Sequence, residues 1–150
     1  MAHGDAGRSS GRNFTGRNFT GACHCGAVRF AAEIDLASAR RCNCSFCRMR
    51  GAVAVTAGLE DFAIVKGEEA LALYTFGTGT AKHYFCRHCG IYTHHQRRSD
   101  PRELGINAAC LDGVSPFDFA EVPVTDGVAH RSDTGIYRIF GVLRFERGPD

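Results

Sequence analysis

Lys82-His-Tyr-Phe-Cys-Arg-His-Cys-Gly90 is the stretch whose reading decides the fold. Lys82–Phe85 has the residues of a strand and runs directly into Cys86-Arg-His-Cys89-Gly90. A Cys-x-x-Cys turn closed by glycine is a zinc knuckle: the tight turn aims both sulfurs, and glycine tolerates the positive φ it needs. Its partner lies some sixty residues upstream, in Cys23-His-Cys25-Gly26. In an extended segment residues i and i+2 point the same way, so Cys23 and Cys25 can face one ion. Two pairs make a tetrahedral four-cysteine site that locks two halves of a sheet together.

Between these knuckles lies Cys42-Asn-Cys44-Ser-Phe-Cys47. Three thiolates within one short segment cap one face of a metal and leave a fourth position for water, substrate or another side chain. Closed four-ligand zinc sites are usually structural, and three-ligand sites with an open position are usually catalytic. Counting therefore gives two Zn²⁺ per chain, one of each kind. Cys110, His83, His88 and His95 stand as alternatives for a fourth ligand that makes the middle site inert. Cys110, in the strand-like Ala108–Leu111, otherwise reads as a small buried hydrophobe. His24 and His88 lie inside the knuckles and are expected to point away from the metal. His94 and His95 follow a strand and are candidates for acid–base work. Phe46 and Arg48 flank the middle site, and Arg48 or Arg50 can offset its negative charge.

Composition agrees with this reading. The chain has 150 residues, 44% hydrophobic and 23% charged, as expected of one globular domain with a modest core. No run of 18 apolar residues marks a membrane helix, and the first residues lack the apolar stretch of a secretory signal. The expected location is the cytoplasm, where eight cysteines at short spacings read as metal ligands rather than four disulfides. Net charge is +2, and zinc-bound thiolates lower it to about −1 in a two-zinc form, so charge gives no argument for nucleic acid.

Residues 1–16 read as a disordered tail of Gly, Ser, Arg and Asp, and residues 17–150 as one zinc domain. The unit Gly-Arg-Asn-Phe-Thr occurs at 11–15 and again at 16–20, and the second copy is expected to be the one the fold uses. Short strands are expected at 27–32, 52–56, 62–65, 71–76, 82–85, 91–94, 104–107, 136–140 and 142–145, with one helical turn at 68–70. Residues 112–135 read as a long loop. The pattern is mainly β, without long helices.

Three motifs in order, Gly21-Ala-Cys-His-Cys-Gly26, Cys42-Asn-Cys-Ser-Phe-Cys47 with Gly51, and Phe85-Cys-Arg-His-Cys-Gly90, resemble the glutathione-dependent formaldehyde-activating enzyme family, whose domain is shared with centromere protein V. Gly105–Asp112 resembles the strand that follows in that family. The resemblance implies an Mss4-like, zinc-stapled β-sandwich of short antiparallel strands. It also implies a structural zinc on Cys23, Cys25, Cys86 and Cys89, and a catalytic zinc on Cys42, Cys44 and Cys47. The implied activity is carbon–sulfur lyase chemistry, joining glutathione or another thiol to formaldehyde or a related aldehyde. The tail and its repeat depart from the family pattern, and the chain is shorter than the namesake enzyme. Two other readings remain. A non-catalytic zinc scaffold binds a partner and saturates the middle site with protein ligands. A methionine-sulfoxide-reductase-like role needs a reactive cysteine outside the zinc sites, and the apolar surroundings of Cys110 oppose that. The oligomeric state is not legible.

Overall fold

The computed structural model describes residues 16–150, so the expected tail lies, apart from Gly16, outside the described residues. The second repeat supplies β1 (Arg17–Ala22), which pairs antiparallel with β2 (Arg29–Cys42). β2 is 14 residues long and organises the fold. Its first half alternates: Phe30, Ala32 and Ile34 are buried, as a strand with one face on a core requires. That half lies between β1 and β4 (Phe62–Lys66).

The register of β2 against β3 (Ala54–Gly58) shifts between Asp35 and Arg40. There the Ser38 hydroxyl donates to the Asp35 carbonyl and accepts from Thr56 N–H at 2.7 Å. Across this irregularity β2 changes neighbours, from β1 and β4 to β3 and β9. Its second half continues between β3 and β9 (Glu121–Thr125) and ends at Cys42. The rest of the sheet runs antiparallel from β3 through β8 (Glu103–Asn107), β7 (Tyr92–Gln96) and β6 (Lys82–Cys86) to β5 (Leu71–Tyr74). β10 (Ile139–Arg144) pairs with β9 at the other edge.

The main core gathers Phe30, Ala32 and Ile34 of β2 with Val55 and Ala57 of β3 and Leu104 and Ile106 of β8. Phe30, Ile34, Val55 and Ile106 are essentially inaccessible, and each such side chain contributes about 1.5–3 kcal/mol by burial. A second, small cluster buries Cys23, Val28, Ala70 and Cys86, with Ala27, Ile64, Leu71 and Cys89 packed partly buried against it.

The mainly β architecture is as expected, with differences in detail. The 112–135 segment holds a 3₁₀ turn at Pro116–Asp118, the strand β9, and a short helix, α2 (Arg131–Thr134). β9 escapes the sequence pattern because Pro123 interrupts it, and because it joins β2 in parallel at only two positions. Ala108–Cys110 forms a 3₁₀ turn instead of a strand, with the Asn107 side chain capping Ala109 N–H at 3.1 Å. The two expected C-terminal strands are one, with a register shift before Gly141. The middle cysteine cluster carries a helix, α1 (Ser45–Arg50), too short for a 3.6-residue period to show. Among the described residues no helix is long and apolar enough to cross a membrane.

Candidate metal centre and its pocket

The knuckles stand in corresponding conformations. Gly26 and Gly90 both adopt φ 77°, and their N–H groups donate to the carbonyls of Cys23 and Cys86 at 3.1 and 2.8 Å. An L-residue with a side chain is strained at that φ, so glycine closes each turn. The turns bring the sulfurs of Cys23, Cys25, Cys86 and Cys89 within 4.8 Å of one another. The Cys23–Cys25 and Cys25–Cys86 sulfur separations are both 3.7 Å. A tetrahedron with metal–sulfur bonds of about 2.3 Å has edges of about 3.8 Å, so the set fits zinc. Backbone N–H groups of Val28 and His88 donate to Cys23 and Cys86 sulfur at 3.3 and 3.4 Å. His24 and His88 are exposed and stand outside the group.

Cys42, Cys44 and Cys47 form the second group, again within 4.8 Å. Cys42 is the last residue of β2, Cys44 caps α1, and Cys47 lies in its first turn. Cys44 N–H donates to Cys42 sulfur and Cys47 N–H to Cys44 sulfur, each at 3.4 Å. The Cys42 and Cys47 thiols, with the N–H groups of Cys47 and Phe46, hold Cys44 far below the usual thiol range despite burial. The same sharing, led by Cys42 and Cys44, raises Cys47, and Arg50 opposes the rise. Three thiols this close are a set that a cation deprotonates together. Among the described residues no histidine, carboxylate or fourth cysteine joins them.

Instead the group opens into a cavity of about 200 Å³, lined by Cys42, Cys44 and Cys47 with Arg50, His83 and His95 beside them. Arg50 is the cation of the site: its Nη2 donates to Cys47 sulfur at 3.6 Å and its Nη1 meets His83 Nδ1 at 3.0 Å. Its guanidinium stacks 3.6 Å from the Tyr92 ring centre and 4.9 Å from that of Phe46. Phe46 also packs 4.5 Å from His83 but does not itself line the cavity. Arg48 is exposed and lies off the cavity. Because an arginine only donates, His83 Nδ1 accepts and its hydrogen sits on Nε2. That Nε2 is buried without a partner. Burial first, then Arg50, lowers His83 to about 4, so the ring is neutral at pH 7.

His95 lines the cavity, its ring 5.2 Å from that of His83, and burial first holds it well below the usual histidine range. His94 is buried away from the cavity, stacked on Tyr84 and packed on Phe62. Cys110 is buried, donates to the Tyr92 carbonyl at 3.4 Å and is pushed up to about 12 by burial, which leaves it unreactive.

Two features escaped the sequence reading. The segment after β9 folds over the thiols: Gly127 packs so closely on them that a Cβ would strike Cys42 sulfur, and its N–H donates to Asn43 Oδ1 at 2.7 Å. The cavity is also strongly cationic. Among the described residues, Arg40, Arg41, Arg50, Arg97, Arg98, Arg131 and Arg138 line it, against the single carboxylate of Asp126. These residues are scattered along the sequence, so no local charge run announces them.

Residues 18–122 match the family described as glutathione-dependent formaldehyde-activating enzymes, which is most of the chain. The chain belongs to that family. It is also similar to a Rhodobacter sphaeroides protein of known crystal structure: 62% sequence identity, TM-score 0.70, across 71% of this chain and 99% of that one. Family membership gives the paired knuckles and the three-cysteine group a common setting. The second wall of the cavity, from Gly127 to Arg138, lies beyond the family match.

Proposed function

We propose that the cavity joins a thiol to a small aldehyde and reverses that joining. The chain would then be a carbon–sulfur lyase of the S-hydroxymethyl type, with glutathione and formaldehyde as the pair the family description names. One observation carries the reading: three thiols that no fourth ligand among the described residues joins line a cavity beside His83, whose buried Nε2–H has no hydrogen-bond partner. Cys23, Cys25, Cys86 and Cys89 would hold a structural Zn²⁺, and Cys42, Cys44 and Cys47 a second. Bound there, zinc favours the thiolate form of a thiol and polarises a carbonyl.

The chain's own groups divide the remaining work. Arg50 offsets the charge of three thiolates and fixes His83 through Nδ1. His83 Nε2–H donates to the carbonyl oxygen, where charge develops as sulfur attacks carbon. A carbon–sulfur bond forms, the carbonyl π pair moves to oxygen, and oxygen takes the proton that the thiol releases. The reverse step returns that proton to sulfur and frees the aldehyde. A neutral His83 suits this role because it donates at neutral pH without adding a further charge beside Arg50.

The test follows exchange between ¹³C-formaldehyde and its glutathione adduct by NMR in the zinc-loaded protein. Wild type is expected to accelerate exchange, Cys44→Ser to abolish the acceleration, and His83→Ala to reduce it by about 10²-fold. Exchange at the uncatalysed rate in wild type would overturn the reading in favour of a zinc scaffold.

A further inference from the structure

Arg97 carries a charge that nothing in the described protein answers. It follows β7 directly, and its side chain lines the cavity although the residue is only 6% exposed. Nη2 donates to Thr56 Oγ1 at 2.9 Å, and Nε is buried with no hydrogen-bond partner. No carboxylate among the described residues forms an ion pair with it. A buried cation without a counter-charge is costly and is expected to be met by a ligand. Its neighbour Arg98 is already satisfied by Asp133, through two bonds of 3.1 and 2.5 Å.

The position of Arg97 is as informative as its charge. Residues i and i+2 share a face of a strand, so Arg97 lies beyond His95 on the same side, about 7 Å along the chain. His95 neighbours His83, His83 meets Arg50, and Arg50 meets Cys47 sulfur. The cavity thus runs from thiols at one end to a buried guanidinium at the other. Arg40 lines it as well, opposite Ala54 on β3, two residues from the Thr56 that Arg97 grips.

We propose that Arg97, supported by Arg40, is a carboxylate subsite for the thiol substrate. The proposal rests on the reading that a thiol binds at Cys42, Cys44 and Cys47. A guanidinium carries five N–H donors and holds a carboxylate through two of them; Arg97 lines the cavity with one donor spent on Thr56. The matching ligand carries its carboxylate a short peptide's length from sulfur. In glutathione that is the glycine carboxylate. The γ-glutamyl end fits poorly, because its ammonium would meet this arginine-lined wall. The one carboxylate that the described residues place on this wall, Asp126, already accepts from Val128 and Ala129 N–H.

The experiment measures calorimetric binding of S-methylglutathione and of its glycine ethyl ester to the zinc-loaded protein. Both probes lack a free thiol. Wild type is expected to bind the acid about tenfold or more tightly than the ester. Arg97→Met should remove that preference, and Arg97→Lys should restore part of it. A merely structural role for Arg97 would weaken acid and ester alike. That result, equal affinities in wild type, or no binding of either probe overturns the proposal. Free glutathione added to the cobalt-loaded protein separates this from the parent reading. An unchanged cobalt spectrum with the acid preference intact sinks thiol ligation and leaves the subsite standing. A changed spectrum without the preference sinks the subsite alone. If Arg97→Met fails to fold, the acid–ester comparison in wild type decides by itself.

Discussion

Gly127 shows how one residue governs the middle thiols. Its missing side chain lets the segment after β9 lie directly on Cys42 and Cys44, where an added Cβ would come within 2.9 Å of Cys44 Cβ and strike Cys42 sulfur. Asn43, the residue between those two cysteines, holds the segment in place by accepting from Gly127 and Val128 N–H. Gly127→Ala should therefore displace the sulfurs while leaving the distant core intact. The expected outcome is metal content falling from two ions per chain to one, with the unfolding free energy changed by less than about 1 kcal/mol. Gly148→Ala, at a position open to solvent, should keep both ions. Metal analysis of the two variants checks this, and a full complement in Gly127→Ala would refute the steric argument. The seven cysteines were legible because their spacing is local. Gly127 and Arg97 were not, since each matters only through a neighbour that the fold supplies.

Individual strands were legible where an alternating or β-branched run faced the core, as in β3 and β8. β9 and α1 were not. A strand interrupted by proline and a helix of six residues leave too little periodicity to read. β7 shows a consequence that only pairing reveals. His94 sits between Tyr84 of β6 and Phe62 of β4, and burial lowers it to about 4. Unfolded, the ring titrates near 6.5. Between those values the unfolded chain binds a proton that the folded one refuses, so stability rises with pH across this window. It is lost as pH falls from about 6.5 towards 4, by up to about 3 kcal/mol from this residue. His83 and His95, also held neutral, act in the same direction. His94→Phe keeps the ring stack and removes the titration. Denaturant unfolding at pH 7 and pH 5 should show the variant losing roughly 2 kcal/mol less than wild type over that interval. An equal loss in both proteins would mean that His94 is not the group responsible.

Across the whole molecule, the two cysteine groups stand in different mechanical positions. Cys25 and Cys86 are 61 residues apart, and closing a loop of that length costs the chain about 4 kcal/mol in the entropy model of cross-links. Among the described residues, Val28 and Ala70 are buried beside Cys23 and Cys86, with Ala27, Ile64 and Leu71 partly buried against them, so that end of the sheet has little apolar core of its own. A structural zinc supplies on the order of 10 kcal/mol, more than enough to close the loop. Cys42, Cys44 and Cys47 lie within six residues and close no comparable loop, while the main core over β2, β3 and β8 stands independently of them. Chelation should then proceed in two stages. The first ion leaves the cavity site with the far-ultraviolet circular dichroism unchanged. The second leaves with loss of β signal as β5, β6 and β7 come free of the β1–β2 turn. Substitution should follow the same order: Cys86→Ser costs several kcal/mol or prevents folding, and Cys44→Ser lowers the unfolding free energy by less than about 1 kcal/mol. If Cys44→Ser were the more destabilising, or if both ions left in one step with the fold, the assignment of one staple and one working site would have to be exchanged.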